Sequence, residues 1–307
     1  MASAKAVKKT AKKPAAKAVK KAAKKSAAKT VKKAAPKAAA KSASKWSKVE
    51  PFSYERKIDG KKVIIFSIFL THAKRIGFLR TFFGGFLMYL SFLEFVFIQL
   101  TTIVVLYQWM LRPFFNLKKF DMKKYILIDR TRIAGMSLFD RINCDFCGYA
   151  NGNAKLWNDQ LDEIAGANIG NGKFFQKGIV LIYVFFLTII SCINYVFSKL
   201  LFLVIALFLG MHWSSNKEAR IRLRSLNYAG GYGFLMRGLI RFAKLYAGTL
   251  ATNLEQIESS WCPLKHEESK SGVASEHHKN FYAQKDIASV MKVLATEGTV
   301  SPRKPKY

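Results

Sequence analysis

The 307-residue sequence is poor in acidic residues and in cysteine. It has 19 aspartates and glutamates against 51 lysines and arginines, which gives a net charge of +32. Four cysteines do not form a recognisable disulfide framework, which favours a reducing compartment. No catalytic motif is present, and the glycines before Lys173 do not match a phosphate-binding loop. These absences favour a binding or scaffold function over an enzyme.

The N-terminus lacks the apolar core of a signal peptide, so we expect no cleavable signal. Residues 1–48 instead carry seventeen lysines and no acidic residue. A twelve-residue unit occurs three times, at residues 6–17, 18–29 and 30–41. Because each unit has one valine as its only large apolar residue, this tail is predicted to be disordered.

The tail resembles the lysine- and alanine-rich tails of linker histones and of bacterial histone-like proteins. Flexible ammonium groups release counterions when they lie along a phosphate backbone, which gives sequence-independent binding to DNA or RNA. Anionic lipid headgroups would attract the same charges, and a solvated spacer is a third interpretation. The predicted nucleic-acid or lipid contacts are the lysine pairs of the repeats: Lys8, Lys9, Lys12, Lys13, Lys20, Lys21, Lys24, Lys25, Lys32 and Lys33.

Two apolar stretches of about 35 residues dominate the rest of the chain, where one membrane crossing needs roughly 20. They cover residues 81–115 and 178–213. Their continuous Phe, Leu, Ile and Val content predicts membrane segments in a mainly α-helical protein. Glu94 lies inside the first stretch. Because a charged side chain is costly inside a membrane, Glu94 is a candidate functional residue.

The apolar stretches divide the chain into predicted segments with helical cytoplasmic portions between them. After the disordered tail, these are a basic juxtamembrane segment (49–80), membrane segment 1 (81–115), a cytoplasmic connector (116–177), membrane segment 2 (178–213), a helical region (214–268) and a polar C-terminal tail (269–307). The lipid bilayer is thus an expected partner, and no protein partner can be named.

Basic residues flank both stretches equally, with seven lysines and arginines in each of residues 56–80, 112–132 and 217–244. Positive flanks prefer the cytoplasm, so each stretch is predicted to form a hairpin or a re-entrant element, with both termini and the connector cytoplasmic. The alternative is one long tilted helix per stretch. That alternative would place residues 144–147 and 262–266 on opposite faces of the membrane.

Two short clusters offer metal ligands: Cys144-x2-Cys147 and Cys262-x3-His266. These spacings let neighbouring side chains reach one tetrahedral ion, and three thiolates with one imidazole suit Zn²⁺. An iron–sulfur cluster with this ligand set is less usual. The rival hypothesis is a membrane-associated thiol oxidoreductase that uses Cys144 and Cys147, with Cys262 as resolving thiol. Inert buried thiols are a further alternative, and Cys192 is interpreted as an apolar membrane residue.

Residues 140–152 and 254–266 together resemble a family of uncharacterised bacterial membrane proteins. That family pairs a C-x-[FY]-C-x-Y-x-N-G element with a W-C-P-[IL]-[KR]-H element. The similarity runs over residues 112–266, and the lysine tail is an addition to the family pattern. The resemblance implies a bacterial inner-membrane location and no known activity.

Local patterns predict how the cysteine clusters are held. Residues 124–131 contain an apolar run that suits a short strand or, given its length, a helix turn. A turn is expected at residues 144–147. Apolar residues at three- and four-residue steps predict a helix over residues 239–261, stopped by Pro263. Cys262 and His266 are therefore expected at a helix end.

Overall fold

The computed structural model describes residues 49–167, 169, 172–209, 233–266 and 281–296. These residues form a mainly helical body with one antiparallel β-hairpin. The predicted mainly α-helical fold is therefore confirmed. The ten predicted contact lysines of the tail lie outside the described residues.

The hairpin pairs β1 (Ser53–Ile58) with β2 (Lys61–Phe66). Asp59 and Gly60 form its two-residue turn, and both have positive φ angles, of 49° and 76°. An Asp-Gly turn of this kind matches the right-handed twist of the two strands. We expected only a basic juxtamembrane segment here, and the Asp-Gly pair was the available signal for a hairpin.

The helices follow in chain order. They are α1 (Ile68–Ile76), α2 (Phe78–Phe115), α3 (Leu138–Gly166), α4 (Phe174–Leu209), α5 (Phe234–Trp261) and α6 (Ile287–Thr296). Within α2 the backbone is α-helical over Phe78–Ile98, π-helical over Gln99–Leu111 and α-helical again over Arg112–Phe115. Single 3₁₀ turns occupy Met122–Lys124, Arg130–Arg132 and Gln284–Asp286.

The two apolar stretches form the continuous helices α2 and α4. Both are long and apolar enough to cross a membrane by length and composition. The predicted hairpin or re-entrant bend inside each stretch is wrong, because Gly84 and Gly85 lie within unbroken helix rather than at a turn. Unbroken helix keeps the backbone groups of such apolar segments hydrogen-bonded.

Helix α3 runs parallel to α2. Tyr89 is hydrogen-bonded to Asn143, and the Tyr149 hydroxyl donates to Gln99, so residue numbers rise together along both helices. The chain between them therefore returns along the bundle. Within this return the Tyr107 hydroxyl donates to the Lys118 carbonyl at 2.9 Å.

Helix α5 runs antiparallel to α3. Lys244 donates to the Asn158 carbonyl at 2.7 Å, and Asn151 donates to Glu258 at 2.9 Å. This direction places the end of α5 beside the beginning of α3, where the cysteines lie. Our expectation that one long helix per apolar stretch would separate the two cysteine clusters is therefore wrong, since the connector returns before α3 begins.

Two further segments differ from expectation. Residues 124–131 form no strand but lead from one 3₁₀ turn into another. Residues 281–296, expected within a polar tail, pack on the body: Val290, Met291 and Leu294 of α6 are fully buried. The apolar positions at steps of one, three and four residues give α6 one buried face, which the polar surroundings concealed.

Candidate functional site: a buried cluster of cysteine, histidine and arginine

Cys144 and Cys147 lie inside α3, and the predicted turn at these residues is wrong. Ser137 caps the helix seven residues before Cys144, and its hydroxyl accepts from the Asp140 backbone amide at 3.3 Å. A helix already begun at Leu138 continues through the cysteines. Residues three apart in a helix lie on one face, so both thiols point the same way.

Asp140 also fixes α3 to α1. Its carboxylate accepts from the backbone amides of Ile68 at 2.9 Å and Phe69 at 3.1 Å, at the beginning of α1. These are the amides that a helix leaves without internal partners. Asp140 therefore stabilises two helix N-termini and positions the cysteine segment of α3.

Cys262 and His266 follow the end of α5 at Trp261, as predicted. The segment is held by a short backbone bridge in which Lys265 donates to the Tyr282 carbonyl at 2.7 Å and Tyr282 donates to the Pro263 carbonyl at 2.9 Å. Tyr282 belongs to the segment that leads into α6. Residues close to the C-terminus thus position the second cysteine cluster.

The structure brings the three cysteines together. Cys144 Sγ and Cys262 Sγ are 3.4 Å apart, and all three thiols are buried. Cys147 lies one turn beyond Cys144 on the same face of α3. Residues 118 positions apart in the sequence therefore share one buried site.

His266 is held by charged groups on both ring nitrogens. Nδ1 lies 2.5 Å from Asp129 Oδ1, and Nε2 contacts the Arg130 guanidinium. A guanidinium only donates hydrogen bonds, so Nε2 is the acceptor and Nδ1–H donates to Asp129. Burial, together with Arg130, lowers the pKa of His266, which keeps the imidazole neutral.

Arg130 lies at the centre of the cluster. Its guanidinium pairs with Glu258, and both side chains are buried, at 1% and 0% exposure. Burial disfavours the cation, but the nearby Glu258 carboxylate and the three cysteines raise the pKa of Arg130 above its usual range. Asn151 donates to the other Glu258 oxygen at 2.9 Å. The buried charges thus satisfy one another.

Sequence reasoning missed Asp129, Arg130 and Glu258. Glu258 is fully buried. Its position four residues after Leu254 and three before Trp261 places it on the apolar stripe of α5, which was the available signal. Asp129 and Arg130 directly follow an apolar run, which was a signal that these two residues could also be buried.

The environment disfavours the thiolate forms of Cys144 and Cys147. The contact with Cys262 and burial raise the pKa of Cys144, and burial is the main cause that raises the pKa of Cys147. A protonated thiol is a poor nucleophile. A metal ion that binds Cys144 and Cys147 would have to displace the protons of these two thiols.

The sulfur separation lies close to that in a tetrahedral zinc site. Two thiolates on one zinc ion are about 3.8 Å apart, given Zn–S bonds of about 2.3 Å, whereas a disulfide needs about 2.05 Å. The observed 3.4 Å is nearer the first value. Among the described side chains, no three of His, Cys, Asp or Glu already stand in metal-binding geometry. Arg130 holds Nε2 of His266, so zinc ligation requires this contact to open.

The other singled-out side chains lie elsewhere. Cys192 is exposed on α4. Glu94 is buried between helices, where the Tyr246 hydroxyl donates to it at 2.5 Å and Ser198 donates as well. Asp159 pairs with Lys155 at 2.6 Å, as expected for a helix-surface ion pair.

No protein-family model matches the chain, and no curated protein or solved structure shows significant similarity to it. The resemblance of the two cysteine elements to a bacterial membrane-protein family stays a prediction. The buried cluster is therefore the starting point for function.

Proposed function

We propose that this chain is a membrane-bound scaffold protein in which Cys144, Cys147, Cys262 and His266 bind one Zn²⁺ ion. The observation that supports this most is the 3.4 Å contact between Cys144 Sγ and Cys262 Sγ. It joins the two clusters in a buried site, at a separation that needs little change to accommodate zinc.

The surroundings of His266 also suit a zinc ligand. A histidine that ligates zinc through Nε2 commonly donates its other N–H to a carboxylate, and His266 Nδ1 already faces Asp129. Zinc with three thiolates carries one negative charge, which the adjacent Arg130 can offset. Four protein ligands leave no open position, so the ion would act structurally by holding α3 to the end of α5.

The direct test is zinc content per purified chain, measured by mass spectrometry of the metal. We expect about one zinc in the unaltered protein and a large loss in each of Cys144→Ser, Cys147→Ser, Cys262→Ser and His266→Ala, because a three-ligand remnant holds zinc poorly. Cys192→Ser is the matched control and should keep full zinc, since Cys192 lies on α4 away from the cluster. An unaltered protein purified without chelator and free of zinc contradicts the proposal. An iron–sulfur cluster would instead give iron and visible absorption.

The Sγ contact also favours a second candidate, a reversible disulfide between Cys144 and Cys262. This pair differs from the Cys144 and Cys147 pair expected from spacing. Two thiols would lose two protons and two electrons to an added small disulfide. Thiol counting under denaturing conditions separates the candidates, because a disulfide removes two reactive thiols while zinc binding leaves all four once the ion is released.

The lysine tail, which lies outside the described residues, is proposed to bind nucleic acid or anionic lipid on the cytoplasmic side of a bacterial inner membrane. We expect a peptide of residues 1–48 to bind unrelated DNA sequences about equally, with log affinity falling linearly with log salt. Deleting one twelve-residue unit should reduce this slope. Binding that persists in high salt contradicts the electrostatic account, and binding to anionic vesicles without DNA affinity would assign the tail to lipid.

A further inference from the structure

The apolar outer surface of α2 and α4 is longer than a bilayer is thick. Helix α2 has 38 residues, about 57 Å, against a hydrocarbon core of about 30 Å. Large apolar side chains are exposed along the full length of both helices, at intervals of about seven residues. They include Leu79, Phe86, Leu93, Leu100 and Trp109 on α2, and Phe175, Ile182, Ile189, Val196 and Leu203 on α4.

The two helices lie side by side and antiparallel, so these residues form one surface, which we call the outer face. Phe83 near the start of α2 contacts Phe208 near the end of α4, and Phe114 contacts Phe175 at the other end. A residue spacing of seven keeps one side of a helix. The outer face is therefore an apolar strip that runs along α2 and α4.

The other side of α2 is buried in the protein core, and the connector lies beside its second half. The connector returns beside it: Gln108 donates to the Phe120 carbonyl at 3.4 Å, and Gln99 contacts Met122 Sδ at 3.5 Å. Gln99 lies near the middle of α2. The connector therefore lies beside the part of α2 that would be deepest in an upright bundle.

The connector exposes charged side chains beside the middle part of α2. They are Lys119, Asp121, Lys123 and Lys124. An upright bundle would place them in hydrocarbon, where charged side chains are costly unless buried or paired inside protein. A bilayer cannot surround the bundle at its middle without covering these charges.

We infer that the bundle does not cross the bilayer but lies along it, with the outer face of α2 and α4 embedded flat in one leaflet. This inference rests on the proposed membrane association. Lipid is the occupant because basic residues border the strip: Arg80 and Arg112 toward the ends of α2, and Lys173 and Lys177 at the beginning of α4. Such an apolar strip with cationic edges suits anionic headgroups.

This orientation reconciles a prediction with an observation. The equal basic flanks predict that every flank lies on one side of the membrane, while α2 and α4 are continuous helices. A helix lying in the membrane plane begins and ends on the same side. No hairpin inside either apolar stretch is then needed.

Labelling at both ends of α2 tests the orientation in the full chain. Arg80→Cys and Lys173→Cys, which lies beside the end of α2, each with Cys192→Ser, would be treated with a membrane-impermeant maleimide in intact host cells and in inverted inner-membrane vesicles. Both should label in the inverted vesicles and neither in intact cells. Labelling of the two sites from opposite sides overturns the inference. Protein recovered in the soluble fraction would instead contradict the membrane association itself.

Depth measurements give an independent test. Nitroxide-labelled cysteines at Phe86, Leu93 and Leu100, again with Cys192→Ser, should report the same depth in vesicles of anionic and zwitterionic lipid. A label at Lys124 should collide with a water-soluble nickel chelate. A depth that changes steadily along the three positions overturns the flat orientation, and so does an outer face shielded from lipid by a second copy of the chain.

Discussion

Replacing Glu258 with glutamine should destabilise the folded protein by about 3–5 kcal/mol, because the Arg130 guanidinium would stay buried without its carboxylate. Both side chains are almost completely inaccessible, at 1% and 0% exposure. The loss should appear as a lower midpoint of urea unfolding in mild detergent. The glutamine amide has one acceptor oxygen, so Arg130 and Asn151 could not both keep an acceptor.

The exposed pair of Lys62 and Glu55 on the hairpin offers a matched control. Its atoms are 3.4 Å apart, but the side chains are 72% and 66% exposed. Water and salt screen such a pair, so Glu55→Gln should change stability only by a small fraction of the Glu258 effect. Equal effects at the two sites would contradict the view that a buried ion pair organises the cluster. The double variant Arg130→Met, Glu258→Met should recover part of the loss, since it removes both charges.

Gly152→Ala should destabilise the protein by about 1–3 kcal/mol through overpacking. A Cβ atom at this position would lie 2.6 Å from the Tyr125 carbonyl oxygen and 2.8 Å from Ile126 Cα. These are backbone atoms of the connector, so a side-chain rotation cannot relieve the clash. The connector would have to move away from α3, weakening the Tyr125 hydroxyl bond to Asp159.

Gly166→Ala, in the same helix, is a control that separates the effect of this clash on stability from the effect of the higher helix propensity of alanine. A Cβ atom at Gly166 would meet nothing within 4 Å. Alanine favours helix over glycine, so this control should be neutral or slightly stabilising. Thermal unfolding of both variants in the same detergent checks the comparison. A stable Gly152→Ala protein would show that the connector is not closely packed against α3.

The helical content and the two apolar helices could be predicted because they depend on local periodicity and run length. The hairpin and α6 were not predicted from the sequence. Each hairpin strand has only six residues, and α6 has ten residues in a polar region. Short elements carry little periodic signal, and packing against the body decides their structure.

The shared cysteine site depended on topology rather than on motif spacing. The two short spacings identified the candidate ligands, but whether they meet depends on the path of the connector between α2 and α3. That path is held by contacts between distant residues, such as the Tyr107 hydroxyl with the Lys118 carbonyl and Arg130 with Glu258. These contacts join residues far apart in the sequence, so local patterns do not specify which residues pair.

X-ray absorption at the zinc edge of the purified full-length protein tests most directly whether Cys144, Cys147, Cys262 and His266 share one ion. We predict three sulfur ligands at about 2.3 Å and one nitrogen ligand at about 2.0–2.1 Å. Cys262→Ser should lose one sulfur or lose the zinc. A zinc ion bound only by nitrogen and oxygen, or an unchanged count of three sulfurs in Cys262→Ser, would contradict a site formed jointly by α3 and the end of α5.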